Sequence, residues 1–227
     1  MKTPAKILAI ACLTSLTAFN VFAASITSSG QLVGTPDVID FSQFTGGNQY
    51  SGVNGPVQIG GLIGKDITAS SANGALYLYD GGWGLLNNGS WDSGMNGYLG
   101  VWPNNGPVEI DFNFAANVSG FGAFMNYITP FGNSSATLAA YDSGGFLLEL
   151  FDVQANAPIS TPGGVDAGAF RGIQRGQADI ASIRITGQGI VLDNLAIVSS
   201  VPDSTSTISL LVFGVVGIGA LRRRFVR

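Results

Sequence analysis

Six aromatic residues, Tyr77, Tyr79, Trp83, Trp91, Tyr98 and Trp102, crowd into one glycine-rich stretch of a 227-residue chain and include all three of its tryptophans. Flat rings set among Asn and Asp side chains form a platform for the C–H face of a sugar. Buried, the same rings would pack their segment onto the body instead. On the first reading, Trp83, Trp91, Tyr98 and Trp102 are the saccharide contacts. A second group is acidic: Asp37 and Asp40 near the start of the body, Asp193 and Asn194 near its end. The two ends of a sandwich domain commonly run side by side, which would bring these oxygens together. Calcium takes roughly six to eight oxygens of this kind. Asp and Asn also bond their own backbone at turns, the alternative reading of the same four residues.

Other chemistry is closed off by composition. The chain has no histidine, and its one cysteine, Cys12, lies in the N-terminal apolar stretch. Ser-His-Asp and Cys-His nucleophiles and His- or thiolate-based metal sites are therefore absent. Catalysis would have to run on carboxylates, as in a secreted glycoside hydrolase, and Glu109 and Glu149 are the only glutamates. Neither sits in a motif that marks it as an acid, so a non-catalytic protein leads and the Asp/Glu-only hydrolase is the rival. Residues 24–200 hold four basic and thirteen acidic residues, a net of −9. That charge repels nucleic acid. Sequons at Asn88, Asn117 and Asn133 are of the sort that arise by chance in a chain rich in Asn and Ser.

The elements that must position these groups are strands. In "PVEIDFNF", Val108, Ile110, Phe112 and Phe114 alternate with Glu109, Asp111 and Asn113, which predicts a strand with one dry and one wet face. "SGFGAFMNY" reads as a strand buried on both faces. "ATLAAYDSGGFLLELFDV" predicts a hairpin turning at "DSGG", and "ADIASIRITGQGIVLDNLAIV" a second one turning at "TGQG". Weaker strands are expected over Val38 to Phe44, Val57 to Ile63 and Ala75 to Tyr79, and a long loop over residues 80–105. The fold class is all-β, an antiparallel sandwich or jelly roll over residues 24–200 with no room for a second domain.

The two ends address the protein. Met1, Lys2 and Lys6 precede an apolar run from Ile7 to Ala18, and Val21 and Ala23 stand at the minus-three and minus-one positions of a cleavage site. This predicts a secretory signal peptide over residues 1–23, removed between Ala23 and Ala24. At the other end, Ser204 to Leu221 is uncharged and Arg222, Arg223 and Arg224 follow. As a helix this run reaches about 27 Å, enough with snorkelling arginines for a single span over residues 206–221. The arginines stay cytoplasmic, leaving the acidic body outside.

The tail, "VPDST" at Val201, Pro202, Asp203, Ser204 and Thr205, then "ISLLVFGVVGIGAL" and "RRR", resembles the PEP-CTERM bacterial sorting signals. It is most similar to their VPDSG-type variant, with Thr205 where that variant has glycine. The resemblance implies an exosortase, a membrane cysteine transpeptidase, as processing partner. It also implies a Gram-negative producer of exopolysaccharide and a membrane-held intermediate before release to the cell surface or the extracellular space. The body's last strands, with "DNL" at residues 193–195, are similar to those of sandwich domains carried by such proteins.

Overall fold

The computed structural model describes residues 24–45, 50–92, 97–103, 106–129 and 135–199. The expected signal peptide over 1–23 and the whole sorting tail over 201–227, with the helix expected over 206–221, lie outside them. Among the described residues no helix is long and apolar enough to cross a membrane.

Sixteen strands carry the described chain. They run β1 (Ala24–Ile26), β2 (Asp37–Ile39), β3 (Tyr50–Val53), β4 (Val57–Gln58), β5 (Ile67–Ser70) and β6 (Gly74–Tyr79). Next come β7 (Trp83–Gly84), β8 (Ser90–Trp91), β9 (Tyr98–Pro103), β10 (Val108–Val118) and β11 (Gly120–Asn126). The last are β12 (Thr137–Tyr141), β13 (Leu147–Asp152), β14 (Ala169–Gln174), β15 (Ile180–Gly187) and β16 (Val191–Val198), with one helical turn, α1 (Val153–Asn156), after β13.

Two antiparallel sheets form. The larger runs β1-β14-β11-β16-β9-β6-β3, and β2 pairs the half of β16 that β9 leaves open. The smaller runs β13-β12-β15-β10-β5-β4. The dry face predicted for β10 is the core. Val108, Ile110 and Phe112 are fully buried, and the Phe112 ring meets Phe121 of the facing sheet at 5.3 Å between centroids. Sheet packed on sheet with a shared apolar interior is the expected sandwich.

The hairpin at "DSGG" is present, with Leu138 opposite Phe151 and Asp142 capping its turn. The one at "TGQG" is not. β15 joins the smaller sheet and β16 the larger, so residues 188–190 arch from one sheet to the other. Burial explains the split. β15 alternates, with Ile183 and Ile185 inside and Ser182 and Arg184 towards water, whereas β16 is buried along most of its length. A strand with one wet face and a strand covered on both faces belong to different places in a sandwich.

The expected loop over 80–105 also gives way to structure. β7 and β8 form a small ribbon, and β9 is an interior strand of the larger sheet, pairing β6 over its whole length. Gly100 makes the ribbon's seat, because a Cβ there would lie 2.9 Å from the Trp83 ring. The weak strands are shorter than expected at β2 and β4. The residues after each turn into single 3-10 turns, Ser42–Phe44 and Gly61–Ile63.

Candidate functional site

On the outer face of the smaller sheet, alternation places two cross-strand rows of side chains side by side. One row reads Ser70, Asp111, Arg184 and Ala139 across β5, β10, β15 and β12. The next reads Thr68, Asn113, Ser182 and Tyr141. Between them lies an open groove of about 370 Å³, closed at one end by Gly145 of the "DSGG" turn. This is the wet face of "PVEIDFNF" and of "SIRIT" brought together.

Arg184 is the fixed point of the groove. Its Nε donates to Asp111 Oδ1 at 2.7 Å and its Nη2 to Asp111 Oδ2 at 3.2 Å, with Glu109 3.4 Å from Nη1. These hydrogen bonds, offset in part by burial, raise its pKa above the ordinary arginine value. The guanidinium also stands 5.9 Å from the centre of the Tyr141 ring. A bidentate pair with a ring behind it is a rigid arrangement. Ser70, Asn113 and Ser182 make no side-chain hydrogen bond among the described residues, so two hydroxyls and an amide face the groove with their capacity unused. Such a surface fits a ligand built from hydroxyl groups.

The aromatic platform takes a different form from the one the sequence suggested. Trp83 and Trp91 are 5 % exposed and Tyr98 1 %, and with Leu85, Ile128 and Val191 they form a second core under the ribbon. Trp91 Nε1 donates to the Ala167 carbonyl at 3.2 Å, and the Tyr98 hydroxyl donates to the Gly81 carbonyl. Burial raises the Tyr98 pKa well above the usual phenol range. Of the four proposed contacts, Trp102 alone stands open, 42 % exposed, with Trp83 edge-on at 5.5 Å between ring centroids. The cause is local: β6 and β9 point Tyr77, Tyr79, Tyr98 and Trp102 out of the larger sheet, and the ribbon folds back over the tyrosines while Trp102 stays open beside Trp83.

The acidic quartet is brought near but not gathered. β2 pairs β16, which sets Asp37 opposite Ile197 and Asp40 close to Asp193. Asp37 is committed to Lys65 Nζ at 3.2 Å, and Asp40 Oδ1 accepts from Ser42 N–H, which lowers its pKa. The Asp193 oxygens accept from the backbone N–H and side-chain amide of Asn194 at 2.6 and 2.9 Å. Among the described residues no three acidic side chains converge on a cation position. Each carboxylate is satisfied by a neighbour, as Asp at turns commonly is. Burial, with a smaller push from Asp40, lifts the Asp193 carboxyl to about 6.

Glu109 lies on Arg184, and Glu149 is on edge strand β13 within the field of Arg175. Asn88 of the first sequon is buried and donates to Asn126 Oδ1 and to the carbonyls of Tyr127 and Ile159. It is an internal staple. The sorting residues Val201 to Thr205 and Arg222 to Arg224 lie outside the described residues.

Comparison with known proteins places the tail. Residues 200–225 match the VPDSG-CTERM motif, a PEP-CTERM-like sorting signal. A signal of this kind is handled by a membrane-bound exosortase-type system and goes with export to the cell surface or the extracellular space. No curated protein sequence matches the chain at a significant level. Among solved structures, the enzymatically active domain of tailspike protein 4 from bacteriophage CBA120 aligns at 12% identity and a TM-score of 0.27. The alignment covers 60% of this chain and 19% of that one, a likeness too slight to define a shared fold.

Proposed function

We propose that this chain is a non-catalytic surface or extracellular-matrix protein that holds a neutral polysaccharide in the groove of its smaller sheet. Its tail is read, and removed near Val201 to Thr205, by an exosortase-type transpeptidase. The observation that carries the binding reading is the pair of cross-strand rows. Ser70, Asn113 and Ser182 offer unused hydrogen-bonding groups beside Tyr141, on a floor that Arg184 and Asp111 make rigid. Because Arg184 is neutralised by Asp111 and Glu109, the groove holds no spare positive charge for an acidic sugar. Neutral hydroxyl-rich glycans are what remain. The same commitment supports the non-catalytic reading, since a glycoside hydrolase needs two carboxyl groups turned towards its substrate.

A glycan array probed with the exported body, residues 24–200, tests this reading directly. Wild type is expected to retain neutral polysaccharides, and Ser182→Arg, which fills the groove from a half-buried position on its outer face, to lose them without a change in melting temperature. Binding unaffected by Ser182→Arg would place the ligand elsewhere.

A further inference from the structure

The body is fixed up to the residue before its sorting signal. The Val198 carbonyl accepts from both the backbone N–H and the hydroxyl of Ser119, at 2.7 and 3.1 Å. Lys65 Nζ, while paired with Asp37, donates to Ser199 Oγ at 2.7 Å. The segment matched by the sorting motif starts at residue 200. Val201 is thus two residues from a pinned position, about 7 Å at full extension, and Thr205 about 20 Å. The apolar run from Ile208 begins nine residues on, within about 30 Å. An enzyme in that membrane cannot grip residues 201–205 without meeting this end of the sandwich.

That end holds a preformed cleft of about 220 Å³. Lys65, Ile67, Phe114, Ala116 and Val118 line it together with Ser199 itself. Its walls are tied together, since Ala115 N–H donates to the Asp66 carbonyl at 3.1 Å and Lys65 N–H to the Gly60 carbonyl at 3.0 Å. Beside it, Leu62 on the Gly61–Ile63 turn is 65 % exposed. We propose that this cleft is the seat of the sorting enzyme on the folded body. An apolar protrusion of the transpeptidase enters it while the active site takes the motif, so body and tail are recognised together. This rests on the reading that the tail is processed.

The test follows tail removal by pulse-chase and intact mass in a bacterium that carries the exosortase-type enzyme. Ala116→Arg blocks the cleft from an exposed strand position. It is expected to slow removal about tenfold, the loss typical of one central interface contact, while the melting temperature holds. A flexible Gly/Ser spacer of about ten residues between Ser199 and Ser200 uncouples motif from body. Removal should then be slow already, and Ala116→Arg should add nothing. Equal rates in wild type and Ala116→Arg, or faster removal with the spacer, would overturn the seat and make the body at most an obstacle. A wild-type chain that keeps its tail throughout would remove the processing reading, and this proposal with it.

Discussion

Trp83 and Trp91 sit in equivalent places on the β7–β8 ribbon, yet their indole N–H groups differ. Trp91 donates to the Ala167 carbonyl, whereas Trp83 Nε1 has no hydrogen-bond partner among the described residues. Alanine at either position is expected to cost about 3–5 kcal/mol, the usual loss on truncating a buried aromatic, as read by urea unfolding. Phenylalanine should separate them, because Trp91→Phe abandons a bonded carbonyl and Trp83→Phe removes only an unpartnered donor. Equal costs for the two phenylalanine variants would contradict these environments. Asp193 supplies the pH dependence. Its carboxyl moves from an ordinary 3.8 up to about 6 in the fold, chiefly by burial. A raised carboxyl pKa means the fold favours the protonated form, so stability is lost as pH rises between the two values. Asp193→Asn should therefore match wild type near pH 4 and melt higher above about pH 6, and a constant gap across that range would contradict it.

At the scale of elements, the ribbon and the segment from α1 to β14 depend on one buried amide. Asn88 Nδ2 reaches Asn126, Tyr127 and Ile159, and its Oδ1 accepts from Thr161 N–H at 2.7 Å. Asn88→Ala leaves several buried polar groups without partners, and a loss of about 3 kcal/mol or more is expected. Hydrogen exchange should localise the loosening to residues 83–91 and 159–167. Uniform exchange across both sheets would show that the staple is not local. Gly100→Ala, which drives a Cβ into the Trp83 ring, should cost about 1–3 kcal/mol by overpacking. Much of this architecture was legible beforehand: the alternation of β10, the doubly buried β11 and the "DSGG" turn all fold as the pattern requires. What alternation does not encode is which strand lies next to which. A short glycine turn serves a hairpin or an arch equally well, and the choice at 188–190 falls to burial across the whole sandwich. The groove escaped for the same reason. Asn113 was visible as a wet-face residue, but the register that sets Ser182, 69 positions further on, beside it is a property of the sheet. The aromatic cluster was found by composition, and composition cannot tell a platform from a core.

For the molecule as a whole, the parts have separate tasks. The sandwich stands without disulfides, since residues 24–200 hold no cysteine, and its stability comes from one core shared by two sheets and two smaller clusters beneath the ribbon and the N-terminal segment. The smaller sheet turns a polar groove outwards, and the exit of β16 delivers the chain at once to its sorting signal. The core clusters of the described residues are built between Ile26 and Val198, so a chain lacking residues 201–227 is expected to fold and to be released instead of retained at the envelope, as fractionation would read. The most direct measurement is the intact mass of the native protein recovered from the envelope and the surrounding matrix. A chain beginning at Ala24 and ending between Val201 and Thr205 is the expected form, with the apolar run and Arg222 to Arg224 gone. A mature form that still ends at Arg227 would contradict processing by a sorting enzyme and leave the tail a plain membrane anchor.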